Sequence, residues 1–261
     1  MLPEFILREE RLQRYDILFL TGLLSALIGF VLASYAFPGQ VAVLTVVFAA
    51  LPMVYPLTAK FLEDEKNHRP HHSEIFSYLA LFVGQASAFT LLAAVTEGNF
   101  QAQMNVIGAT GSFLSLDSLF VQILVNNLGV YITIFLASAI IGSAGAFILT
   151  WNASVLGAFF SHLLSLRGTE EFVHPILYVP HTSLEMSGFI LAGITGSLIS
   201  AAVYREHFDP GTWQDYGLLT VLGISLVVNG AFLETGHIFA FLASVFVSGM
   251  IIYKLYTLGD L

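Results

Sequence analysis

Between Leu119 and Leu164 the chain reads LFVQILVNNLGVYITIFLASAIIGSAGAFILTWNASVLGAFFSHLL, 46 residues without an aspartate, glutamate, lysine or arginine. About 20 apolar residues let a helix cross a hydrocarbon core of ~30 Å. This stretch is too long for one crossing, so it must turn back or break. Gly142, Gly145 and the pair Trp151-Asn152 are the candidate breaks. Read as two crossings, it sets the parity of every segment on either side.

The rest of the 261 residues agrees with a membrane setting. The chain is 56% hydrophobic and 10% charged, with a mean hydropathy of +0.81. Soluble domains carry roughly 25% charged residues, so most of this surface does not face water. Lipid offers backbone polar groups no partners, which leaves helices or closed barrels. The apolar runs are far longer than the alternating strands of a barrel. The fold class is therefore all-α, a polytopic transmembrane helical bundle.

Further spans are expected at about 17–36, ending at Phe37-Pro38-Gly39, and at 41–61, with Pro52 and Pro56 inside. Others follow at 75–95, 176–204, 216–232 and 235–256. The total is eight crossings, or seven if 119–164 crosses once, and that stretch is where a broken helix is expected. Residues 97–117, polar and rich in glycine, serine and glutamine, read as an extended loop or a surface helix. Ahead of the spans, Leu2, Phe5, Ile6 and Leu12 share one helical face and Arg8, Arg11 and Arg14 the other. Residues 1–15 therefore read as an interfacial amphipathic helix, followed by a single transmembrane domain over 16–261.

With eight crossings, Arg8, Arg11, Arg14, Lys60, Lys66, Arg69, Arg205 and Lys254 fall on one side, and Arg167 alone on the other. The positive-inside rule makes the basic side cytoplasmic. A multi-pass protein of the cell membrane with both termini in the cytoplasm is the expectation. A net charge of −9 argues against nucleic acid as a partner. The absence of cysteine excludes disulfides and thiolate metal sites. His68, His71 and His72 stand in the most polar segment and read as a solvated loop.

Ionisable groups inside spans are rare and commonly serve function. VPHTSLEM, Val179–Met186, places His181 and Glu185 one turn apart on one helix face, with Pro180 suited to the first helical position. GAFLETGHIFAF, residues 230–241, places Glu234 and His237 on one face if the helix continues, whereas Gly236 otherwise marks a bend. Parity puts His162, His181, Glu185, Glu234 and His237 at one depth, and Asn126 and Asn127 approach the same level.

Two readings follow. In one, these groups form a buried hydrogen-bonded network or proton relay. In the other, His181, Glu185, Glu234, His237 and His162 hold a divalent metal, namely zinc, iron or manganese. A bound metal would acidify a water for a glutamate acting as general base, making an intramembrane metal-dependent hydrolase. The His-Glu-x2-His pattern is absent. Gly188, Ala192 and Gly196 form a close-packing stripe, and such stripes suit a homodimer.

Several of these stretches occur together in a known family. VPHTSLEMSGFILAGITG resembles the Pro-His-Gly-x-x-Glu-hydrophobic stretch of the SpoIIM (stage II sporulation protein M) membrane proteins. Pro180, His181 and Glu185 fill its places, and Thr182 stands where glycine is usual. The run Leu124–Phe160 is similar to the family's paired asparagines and later Asn-Gly-x-x-x-Gly. Asn126, Asn127, Asn152 and Gly157 match it, with Ala153 replacing a glycine. Glu234 is similar to the glutamate ending the family's penultimate span. The likeness covers about 120–235. It implies a membrane protein; the sporulation member works with cell-wall-degrading partners during engulfment, many relatives occur in organisms that do not sporulate, and membrane lipids and membrane-protein partners are the expectation here. The expected role is non-enzymatic: moving a small solute or ion, or anchoring partners in lipid. His181, Glu185 and Glu234 would form its central polar cluster, with Asn126, Asn127 and Asn152 as hydrogen-bonding neighbours.

Overall fold

The computed structural model describes residues 14–67, 72–96, 98–109, 116–142, 144–165, 173–204, 206 and 210–258, and every regular element among them is an α-helix. In chain order these are α1 (Tyr15–Ala36), α2 (Val41–Asn67), α3 (His72–Val95), α4 (Gln101–Ala109), α5 (Leu116–Ile141), α6 (Gly145–Ser165), α7 (Val173–Tyr204), α8 (Pro210–Glu234) and α9 (Ile238–Leu258). Among the described residues, seven helices are long and apolar enough to cross a bilayer: α1, α3 and α5 to α9. The described apolar part of α2, Val41–Val54, is shorter. The chain is a multi-pass helical membrane protein.

The 119–164 stretch is interrupted at Gly142, whose φ of +64° lies in the left-handed region that glycine enters without steric cost. Two helices result, each long enough to span, while Trp151 and Asn152 lie inside α6. A second left-handed glycine, Gly236 at φ +74°, separates α8 from α9. Glu234 and His237 therefore do not share one continuous helix. Pro180 also departs from expectation, because α7 begins at Val173 and the proline lies inside it. Spanning helices accommodate such prolines, so the apolar residues before Pro180 carry the helix two turns further back. The 97–117 segment yields a nine-residue helix, α4, with Gln103 fully buried. Of the expected interfacial helix, residues 1–13 lie outside the described residues, as do His68 and His71.

The chain divides into two compact units. The first comprises Met1–Leu57, Phe76–Ser112 and Ala146–Leu177, and so holds α1, the apolar part of α2, nearly all of α3, α4 and α6. Glycines bring its backbones together: a Cβ on Gly22 would strike the Leu81 carbonyl oxygen, and one on Gly84 the Phe19 carbonyl oxygen. Gly157 approaches α3 so closely that a Cβ there would lie 2.5 Å from Phe89 Cβ. Close backbone approach replaces the hydrophobic effect as the source of helix association in lipid. Phe100 fills the remaining space, 6.3 Å from the Phe30 ring and 5.9 Å from the Phe89 ring.

The second unit comprises Thr58–Ile75, Phe113–Gly145 and Tyr178–Leu261, with α5, α7, α8 and α9 as its long helices. Its most buried span is α7 and its least buried is α9. Along α7, Gly188 meets α8 at Val227 and the Gly223 carbonyl, while Gly196 meets α5 at Phe135 and Ser138. The small-residue stripe thus packs against two helices. Tyr131 on α5 donates to the Thr220 carbonyl of α8 at 3.0 Å. Helix α9 is attached to α8 by Asn229 Nδ2, which donates to Ser248 Oγ at 2.9 Å, and by the 2.7 Å hydroxyl pair Ser225–Ser248.

Candidate functional site

The sharpest polar contact in the second unit joins α5 to α7. Asn127 Nδ2 donates to Glu185 Oε1 at 2.7 Å, and both residues are buried. Asn126 Nδ2 in turn donates to Asn127 Oδ1 at 3.2 Å, giving a chain of side chains that ends on the carboxyl. Glu185 faces inward because α7 presents it, with Gly188 a turn later, toward α8. There Gly230 leaves room for it: a Cβ at that position would sit 2.5 Å from Glu185 Cγ. Sequence explains the placement. A glutamate needs a neighbour without a side chain to fit between spans, and a donor to offset loss of water.

His181, one turn before Glu185, is also buried. Glu234 ends α8 and is exposed, yet it lies within electrostatic range of Glu185. His237 follows the bend at Gly236. Its Nδ1 is 2.7 Å from Thr235 Oγ1, and its ring lies 5.4 Å from Phe120 and 6.3 Å from Phe232. Phe120 and Phe232 stack on each other at 4.8 Å, closing α5 against the end of α8. The first part of α5, the stretch of α7 around His181 and Glu185, the start of α9 and the end of α8 thus gather at one end of this unit.

Asn126, Asn127, His181, Glu185, Glu234 and His237 all belong to this unit; Asn152 and His162 do not. They stand on α6 in the first unit, where the Asn152 amide donates to its own helix at the Ile148 carbonyl, 2.8 Å away, and His162 is exposed. Among the described residues, no three His, Asp or Glu side chains are grouped to hold a metal ion. The donor to the Glu185 carboxyl is the Asn127 amide.

Several polar residues escaped the sequence reading. On α5, Gln122 lies one turn before Asn126, and its Oε1 is buried without a hydrogen-bond partner. Asn229 precedes Gly230, and its Oδ1 is likewise buried and unpartnered. In the first unit, Thr150 Oγ1 donates to Gln85 Oε1 at 3.1 Å and Gln103 Nε2 to Ser154 Oγ at 3.2 Å. Uncharged amides within apolar runs were the available signal.

The basic side chains described, Arg14 and Lys254, are both exposed, and neither pairs with Glu185. Chemically, the site is a carboxyl with one amide donor, a second carboxyl in range and a neighbouring imidazole. It offers ligands and proton acceptors.

No curated protein and no solved structure matches the chain. The family model described as SpoIIM, Stage II sporulation protein M, matches residues 17–236, which takes in α1 to α4 as well as the stretch from residue 120 onward. By the extent of that match, across helices of both units, the chain belongs to the SpoIIM family of membrane proteins.

Proposed function

We propose that this protein moves a small cation, the proton included, across a cell membrane, and that Glu185 is the group that binds it. One observation carries the reading: a carboxyl buried between spans, held by the Asn127 amide, with no described lysine or arginine paired to it. A charged side chain inside a spanning helix is costly, at most about 2.5–3.5 kcal/mol on insertion scales, the figure for the helix centre. A carboxyl inside a span is a group that a mobile cation or proton can neutralise. Glu234 adds a second carboxyl in range, which can share a bound cation or proton with Glu185. Both termini in the cytoplasm, as the distribution of lysine and arginine implies, belong to the same proposal.

The test is flux in proteoliposomes containing the purified protein. Sodium, potassium and proton movements are followed for the wild type and for Glu185→Gln, which keeps shape and acceptor but removes the charge. Hydrogen bonds to charged groups contribute roughly 1.5–3 kcal/mol, so a fall of about tenfold or more is expected. Equal flux through both proteins, or none through the wild type for any of the three ions, would overturn the reading.

A further inference from the structure

Helix α5 packs on α7 and α8 through Asn127 and Tyr131, and its opposite side is left open. Along that side Asn126, Gly129, Thr133 and Ile140 are exposed, and their spacing sets them in one narrow stripe. Asn126 is the anomaly among them. It stands seven residues into the span Leu119–Ile141, about 10 Å from its start, at a depth where the surroundings are lipid. Its Nδ2 gives one proton to Asn127 Oδ1, and its second N–H and its Oδ1 have no partner among the described residues. An amide left so in hydrocarbon is costly. Two turns on, the Thr133 hydroxyl donates to its own helix at the Gly129 carbonyl, 2.8 Å away, and keeps lone pairs that can accept.

We infer that this face of α5 is covered by the same face of a second copy of the chain, giving a two-fold symmetric dimer in the membrane. A lipid chain satisfies neither half of the Asn126 amide. A second Asn126 satisfies both, because the side chain is donor and acceptor at once, and self-complementarity is what a two-fold interface requires. Copies inserted in the same orientation are related by an axis along the membrane normal, so each residue of the stripe meets its own counterpart. The stripe carries no charge, so two chains of net charge −9 meet there without like charges in contact. Gly129 adds no bulk between Asn126 and Thr133, and alanine in its place would remain small enough for two helices to approach. The small-residue stripe of α7 is spent inside the unit, against α5 and α8. Helix α9 is more open still, but its exposed mid-span residues, Leu242, Phe246 and Met250, are apolar, and lipid covers those without loss.

The wild-type protein, extracted together with its surrounding lipid, is expected to contain two chains by mass. Asn126→Leu removes two symmetric hydrogen bonds and is expected to weaken association by about tenfold or more, whereas Asn126→Gln keeps the amide and should retain most of it. In a chain without native cysteine, Thr133→Cys treated with a membrane-permeant oxidant should yield a disulfide-linked dimer, and Phe246→Cys on α9 should not. A monomeric wild type overturns the inference whether or not any variant folds. So does an Asn126→Leu protein that dimerises as the wild type does, a Phe246→Cys protein that cross-links as well as Thr133→Cys, or a Thr133→Cys protein joined to a different membrane protein. The readout is the number of chains and not ion flux. Glu185→Gln should therefore dimerise normally, and a failure here leaves the reading of Glu185 untouched.

Discussion

Asn127 and Glu185, 58 positions apart in sequence, meet through a 2.7 Å hydrogen bond between two spans. The bond links the packing of α5 on α7 to the orientation of the carboxyl, so site and fold are perturbed together. Asn127→Leu leaves that carboxyl buried without its donor, which costs about 1–3 kcal/mol. The expected result is a lower unfolding temperature in detergent. Adding Glu185→Leu removes the orphaned group and should recover part of the loss. Single and double variants measured by thermal unfolding give the coupling, with roughly 0.6–1.7 kcal/mol expected for a hydrogen bond between spans.

Gly230 decides whether Glu185 can occupy its place. A methyl group at residue 230 would press on Glu185 Cγ from 2.5 Å, tighter than real side-chain contacts. Gly230→Ala should displace the carboxyl from Asn127 and reduce cation flux, at a stability cost of about 1–3 kcal/mol for overpacking. Gly129→Ala on α5 is the control, since nothing lies within 4 Å of its Cβ position. Flux and thermal unfolding of the two variants check this together.

In the first unit, Gly22 and Gly84 allow α1 and α3 to touch backbone to backbone, through Leu81 and Phe19. A carbonyl oxygen cannot rotate away as a side chain does, so the helices themselves must separate. Gly22→Ala or Gly84→Ala should lower the yield of monodisperse protein and its unfolding temperature. Gly217→Ala, at an exposed position of α8 with no neighbour within 4 Å, should be neutral or gain up to about 1 kcal/mol from helix propensity.

Asn152 and His162 supply the negative prediction. The Asn152 amide is engaged by its own helix and His162 is exposed, both on α6 of the first unit. Alanine at either position should leave cation flux within a factor of about two, well under the tenfold change that 1.4 kcal/mol produces. A loss as large as that of Glu185→Gln would place these residues in the site.

The contrast between these asparagines shows what a sequence of this kind carries. Span positions were legible because about 20 apolar residues are an unmistakable length in lipid. Counting crossings also set Asn127 and Glu185 at one depth, and the structure bonds them to each other. Depth is not azimuth, however. Parity gave His162 the same level as Glu185, yet nothing in the sequence said which helices would group together. Pro180 looked like a helix start because soluble proteins use proline there, whereas α7 continues through it. The buried Gln85–Thr150 and Gln103–Ser154 pairs carry no charge, so they passed as ordinary members of apolar or loop-like stretches.

The most direct measurement of the central claim, that Glu185 points from α7 into the space beside Gly230, is a cross-link. The chain has no cysteine of its own, so Glu185→Cys with Gly230→Cys introduces a single pair. The Cβ position at residue 230 lies 2.5 Å from Glu185 Cγ, hence within about 4 Å of Glu185 Cβ, inside the range a disulfide needs. Mild oxidation in native membranes is predicted to protect both thiols from maleimide until a reductant is added. The pair Glu185→Cys with Gly217→Cys, about 20 Å further along α8, should stay reactive. Full maleimide labelling of the 185–230 pair after oxidation would contradict the account.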